Sequence, residues 1–198
     1  KVIQYAIKGM HFNLYLKNKF LLYAYGKYFW YLEYTNASQI IAAYEGDKLL
    51  GVIIVDMKNE AKPYKSFWKT CYIKLIDQIQ KFFFKGGVMA YNQANKEMFK
   101  EYTEKYTPDG EIRFLAADPD TKLKGIGTML LNEFERRKYG KEIYLFTDDQ
   151  CSYPFYEHRG FERIGEKDIV LELDDKINLK CFLYRKFCLL YTSDAADE

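Results

Sequence analysis

A chain of 198 residues has the length of one domain. Its hydrophobic fraction of 48% supports an ordinary core, and 30 basic against 28 acidic residues leave a net charge of +2, which carries no electrostatic footprint for nucleic acid. Four cysteines (Cys71, Cys151, Cys181, Cys188) and two histidines (His11, His158) lack zinc-type spacing, so reduced thiols, no metal and a cytoplasmic setting are expected. No run approaches the ~18 uninterrupted apolar residues of a membrane helix, and no secretory h-region is present, so no membrane association is expected and Asn36-Ala37-Ser38 reads as a chance sequon.

The chain starts at Lys1 and runs straight into a helical pattern, which suggests a truncated N-terminus. At the other end, residues 188–198 resemble one reading frame of a sequencing-library adapter and are set aside as an artefactual tail, leaving 1–187 as the single domain. Loss of the three acids Asp194, Asp197 and Glu198 would raise the net charge to +5.

From Ile3 to Tyr34, apolar residues such as Leu14, Phe20, Leu21, Ala24, Tyr28, Tyr31 and Leu32 recur at three- and four-residue steps, predicting helix with a break near Gly26. Two β-branched runs, 39–44 and 49–56, flank Gly46-Asp47 and predict an antiparallel hairpin. Residues 63–107 read as a two-helix insertion divided at Gly86-Gly87. One core stripe is expected at Trp68, Tyr72, Leu75, Ile79 and Phe83, the other at Tyr91, Ala94, Met98, Tyr102 and Tyr106. After a turn at Thr107-Pro108-Asp109-Gly110, a strand spans 111–117 and a helix opens at Gly125 and closes near Gly140. A strand at 143–147, a short helix over 154–159 and a closing hairpin of 169–173 with 179–184 complete an α+β fold around a mixed sheet.

Between strand and helix lies Asp118-Pro119, then Lys122-Leu123-Lys124-Gly125-Ile126-Gly127-Thr128. A helix start leaves N–H groups without intrahelical partners at its positive dipole end, and glycines let a bulky diphosphate approach the backbone. Lys122 and Lys124 add charge on flexible stems. A P-loop is excluded because Gly127 is followed by Thr128-Met129 without the lysine, and a dinucleotide fingerprint because position 130 is Leu.

Strand, Asp-Pro-Asp, a basic Lys-x-x-Gly-x-Gly turn and an amphipathic helix resemble motif A of the GNAT acetyltransferase superfamily, with Lys122 where Gln or Arg is usual. Downstream, Asp149, then Tyr156 seven residues on, then Gly160-Phe161 match the spacing of that family's later Asn…Tyr…Gly-Phe segment. Asp149 departs from the usual Asn, since an ionised carboxylate cannot donate to a pantetheine arm. Pro154 fits a first helical turn with Ser152 as N-cap.

The resemblance implies a mostly antiparallel GNAT-like sheet flanked by helices, acetyl-CoA as co-substrate, a primary amine acceptor and, as often in the family, a homodimer. It implies that pantetheine lies between strands parting at 115–117 and 144–147, paired with the backbone of Leu115 and Ala117, with Ala116 between them and the diphosphate on residues 122–128. Tyr156 is the implied general acid for the leaving thiolate, since a phenol is protonated at neutral pH. Glu111 is a candidate base acting through water, ahead of Asp148, whereas His158 reads as a surface residue. The helical insertion is expected to wall the acceptor site. Two other classes stay open: a non-catalytic acyl-CoA-binding module, and a protein-interaction domain that uses the aromatic helices.

Overall fold

A computed structural model describes residues 1–9, 18–83, 87–172 and 176–189. Its twelve described elements are, in chain order, α1 (Val2–Gly9), α2 (Lys19–Asn36), β1 (Gln39–Glu45), β2 (Lys48–Met57), α3 (Phe67–Phe83), α4 (Gly87–Thr103), β3 (Gly110–Ala117), α5 (Ile126–Arg137), β4 (Glu142–Asp148), α6 (Tyr153–His158), β5 (Glu162–Glu172) and β6 (Lys176–Phe187). The six strands form one sheet in the order β1-β2-β3-β4-β6-β5. Every neighbouring pair is antiparallel except β3–β4, which is parallel.

The two faces of the sheet are covered differently. On one, α5 and α6 close an apolar cluster that includes Leu50, Ile53, Leu131, Phe134, Ile143, Leu145 and Tyr184. On the other, α1 and α2 cover Val52, Ile54 and Phe114, while α4 covers Cys181 and Leu183 beside Tyr144 and Phe146. α5 shows why its sequence folds this way. Ile126, Leu130, Leu131 and Phe134 make one buried stripe, and Arg136 and Arg137 occupy the last turn, where the dipole favours cations.

Several sequence expectations need correction. Gly26 does not break α2: it is buried within the helix at the crossing with α1, where an added Cβ would lie 2.9 Å from Ile7 Cγ1. The first stripe of the insertion is not core. Trp68 is 80% exposed, Leu75 and Ile79 are also exposed, and Ile73 is the buried residue. The side chain of Phe83 lies outside the described residues, as does Leu14. In the second stripe Ala94, Met98 and Tyr102 are buried as expected.

The strand at β5 begins at Glu162, seven residues before the expected 169. Its early half reads as loop because it is charged. It is an edge strand, and its charges pair with the elements beside it: Lys167 with Glu97 of α4 at 2.9 Å and Glu166 with Lys180 of β6 at 2.8 Å. Ser152 takes the N-cap position of α6 without a side-chain cap bond. Cys188, assigned to the tail from sequence, belongs to the folded body. It is fully buried and its backbone pairs with Gly140 and Lys141 at 2.8 Å each. The rest of the suspected tail, 190–198, lies outside the described residues.

Candidate active site

The site forms where the two antiparallel halves of the sheet meet. β3 and β4 pair at Gly110↔Ile143 and Glu111↔Tyr144 and then part. The register of β2 against β3 slips between Ile54↔Phe114 and Val55↔Ile112, which leaves Arg113 as the extra residue of a β-bulge. A bulge bends a strand and raises its twist, so the bulge coincides with the point of parting. Beyond it, Leu115, Ala116 and Ala117 pair with β2 alone, and Leu145 to Asp148 pair with β6 alone. The facing strand edges therefore line a gap.

At the mouth of that gap lies the turn from β3 to α5. Asp118 is buried and anchors it. Its backbone N–H donates to Leu50 O at 2.6 Å, and its carboxylate accepts from the Asp120 N–H at 3.0 Å and pairs with Lys48 at 3.3 Å. Leu123 N–H donates to Thr121 Oγ1 at 3.3 Å. Lys122, Leu123, Lys124 and Gly125 are exposed. Gly125 is the N-cap of α5 at φ +79°, a conformation that an L side chain adopts only at a cost, with open space where a Cβ would point. No side chain caps α5 among the described residues, so the first amides at Ile126, Gly127 and Thr128 face the mouth. A groove of about 420 Å³ continues along the exposed side of α5 past Gly125, Thr128, Met129 and Asn132.

Tyr156 of α6 is half-buried at the rim of the same apolar cluster as Leu115. Its ring packs against Phe155, Phe161 and Tyr184. Burial pushes the phenol above its ordinary range, with Cys151 adding to the effect, so it carries its proton at neutral pH.

On the opposite face lies a charged network that sequence reading identified only at Glu111. Arg113 Nε donates to Glu33 Oε2 at 2.5 Å, and its Nη1 donates to Glu111 Oε2 at 3.1 Å. Tyr144 Oη donates to the same Glu111 oxygen at 3.3 Å. Burial pushes the Glu111 carboxyl up despite Arg113. Burial likewise pushes Glu33 up, to about 6, against the pull of the Arg113 guanidinium. A cavity of about 230 Å³ opens here, lined by Asp56, Lys58, Lys62, Glu111 and Tyr144 among others. Glu33 had one signal in the sequence, as the lone acid of an aromatic helix. Arg113 had none, because a regular strand would have paired it.

The structure thus brings together Leu115, Ala116, Ala117 and residues 122–128 on one side of the gap, with Tyr156 and Glu111 on opposite faces of the sheet. Asp149 is exposed and engaged elsewhere: its Oδ1 accepts from the Lys180 N–H at 3.2 Å. Asp148 accepts from the Gln150 N–H at 3.0 Å and so closes the turn after β4, while His158 is exposed. Among the described residues no His/Cys/Asp/Glu cluster could hold a metal, and no helix is long and apolar enough to cross a membrane.

Residues 11–161 match the profile described as the Acetyltransferase (GNAT) family. No curated protein matches the chain in sequence. Among solved structures, a Pyrococcus horikoshii OT3 protein is similar at 19% identity and TM-score 0.53, covering 93% of this chain and 88% of that one. A structure described as histone acetyltransferase HPA2 and related acetyltransferase, from Corynebacterium glutamicum, is similar at 14% identity and TM-score 0.52, covering 96% and 91%. The C-terminal condensation domain of Ebony, solved with beta-alanyl-dopamine, aligns at 10% identity and TM-score 0.51, over 93% and 90%. At these identities the three support the fold.

Proposed function

Because the chain belongs to the GNAT acetyltransferase family, and so is an N-acetyltransferase that uses an acyl-CoA, we propose that it moves an acetyl group from acetyl-CoA to a primary amine by direct attack. The observation that carries this reading is the coincidence of two openings: uncapped amides at the Gly125 helix mouth and the gap between β3 and β4 that starts beyond Glu111. The first suits a diphosphate, with Lys122 and Lys124 adding charge. The second suits an extended pantetheine arm paired with the free edge of Leu115, Ala116 and Ala117.

In this reading Glu111 takes a proton from the acceptor, directly or through water, and burial that raises its carboxyl makes it a better base. The amine nitrogen bonds to the thioester carbonyl carbon, the C–S bond breaks, and Tyr156 gives its proton to the leaving thiolate. Asp149, held by the Lys180 amide, is assigned to supporting the turn beside the arm. Four free cysteines suit a reducing compartment such as the cytoplasm.

The test is calorimetry with acetyl-CoA, followed by mass analysis of products across an amine panel. Lys122→Glu with Lys124→Glu should weaken acetyl-CoA about tenfold, since two exposed charges beside a phosphate site reverse sign, while an acid before the helix start leaves α5 stable. Absence of acetyl-CoA binding would sink the reading. Binding without any transfer would leave the non-catalytic acyl-CoA module.

A further inference from the structure

The cavity on the Glu111 face already contains an ammonium group of the chain itself. Lys62 Nζ donates to Asp56 Oδ2 at 2.7 Å, and both residues line the same 230 Å³ space as Glu111 and Tyr144. Chemically, Lys62 is an unbranched primary alkylammonium, so its Nζ stands in for any ligand of that class.

The surroundings explain why a cation sits there. Asp56 and Glu111 lie directly opposite each other on β2 and β3, a pairing that like charges disfavour. Arg113 serves Glu33 and Glu111, so among the described residues Lys62 is the cation bonded to Asp56. The other charged lining residues are Lys58 and Glu60, and Glu60 is taken by Lys138 at 2.5 Å. Lys62 belongs to the irregular segment between β2 and α3, and its side chain is 31% exposed, so it can swing out without unwinding an element. The space is also narrow, smaller than the ~300–1,000 Å³ of pockets that take drug-sized ligands.

We propose that the acceptor is an unbranched primary alkylammonium compound whose cationic head displaces Lys62 from Asp56, with Lys62 acting as a built-in competitor. The inference rests on the acetyl-transfer reading above and adds the acceptor's chemistry to it. The displaced lysine moves to solvent. The incoming ammonium, held between Asp56 and Glu111, gives one proton to Glu111, which releases it to solvent. The neutral nitrogen then bonds the thioester carbonyl carbon and gives a second proton to Glu111 as the C–S bond breaks, while the thiolate takes the Tyr156 proton and Tyr156 is reprotonated from solvent.

The experiment uses the full chain and follows CoA thiol release with alkyl diamines, a lysyl peptide, an arylalkylamine and an α-amino acid. The diamines or the lysyl peptide should be preferred, and the better of those two names the source of the alkylammonium. Lys62→Met should lower the acceptor KM about two- to fivefold, the worth of a partly exposed ion pair, while acetyl-CoA affinity by calorimetry stays unchanged. Lys62→Arg, which keeps a cation on Asp56, should stay near wild type. Asp56→Asn should raise the KM for alkylammonium acceptors about tenfold or more. An unchanged or raised KM in Lys62→Met, or equal use of the arylalkylamine and the amino acid, overturns the inference and leaves acetyl transfer standing. Failure of the wild type to bind acetyl-CoA overturns both.

Discussion

The two ends of the β3–β4 seam are built from different materials. Toward the C-terminal ends of the strands, the surface that faces the gap is main chain: the free edge of Leu115, Ala116 and Ala117 and the uncapped amides beyond Gly125. At the start of the strands, where the pair is still closed, the candidate site is made of side chains from four elements and one loop: Glu33, Asp56, Lys62 of the loop after β2, Glu111 with Arg113, and Tyr144. In the proposed reading, main chain meets what every acyl-CoA shares, an extended arm and a diphosphate, and side chains meet what differs between acceptors. In the proposed reaction the chemistry crosses the sheet, with Tyr156 on the face of α5 and α6 and Glu111 beside Tyr144 on the opposite face.

The sharpest break in this comparison is Tyr156→Phe. The hydroxyl is the one atom removed, and the ring contacts to Phe155, Phe161 and Tyr184 survive. Loss of a general acid should lower kcat about 10²- to 10⁴-fold, with acetyl-CoA affinity and thermal stability unchanged. An unchanged kcat removes Tyr156 from the chemistry and makes it a packing residue.

The next effect is on stability and belongs to the side-chain end. Arg113→Leu leaves Glu33, which is only 6% exposed, without its cation, and should cost about 3 kcal/mol in denaturant unfolding. Glu33→Gln added to Arg113→Leu should recover part of that loss, because the double variant no longer buries an unpaired charge. Additive losses would show that the pair is not coupled.

A smaller effect is readable in pH. The Glu33 carboxyl is raised from 4.5 to about 6 in the folded protein, chiefly by burial. A raised carboxyl contributes stability that is fully present below 4.5 and lost as pH climbs through about 6. Glu33→Gln removes that dependence. The difference in Tm between variant and wild type should therefore move in the variant's favour as pH goes from 4.5 to 7. A difference that stays constant across this window would place the group's titration elsewhere.

The same division governs how much was legible in the sequence. The hairpin, the 111–117 strand and the Gly125 helix start were readable because local rules govern them: β-branched runs, a Gly-Asp turn, a glycine where φ must be positive. The Glu33–Arg113–Glu111 network was not readable. It joins residues 80 positions apart, and it depends on a bulge that no periodicity announces. Asp149 carried the spacing of a motif, but its side chain is spent on the Lys180 amide, a contact set by the β4–β6 register.

The insertion supplies the last contrast, between two helices that one periodicity rule treated alike. α4 buries Ala94, Met98 and Tyr102 against the β5–β6 half of the sheet, whereas α3 leaves Trp68, Leu75 and Ile79 in solvent and reaches the body through α2, where Tyr72 Oη donates to Ala24 O at 3.1 Å. Helical spacing identifies an apolar stripe, but not whether anything packs on it. The two helices therefore separate under mutation. Met98→Ala removes a side chain only 2% exposed and should cost about 2–5 kcal/mol. Trp68→Ser, at 80% exposed, should change unfolding free energy by no more than about 0.5 kcal/mol in dilute protein. A large loss from Trp68→Ser that grows with protein concentration would mean that a second copy covers the stripe and that α3 is the seat of a dimer.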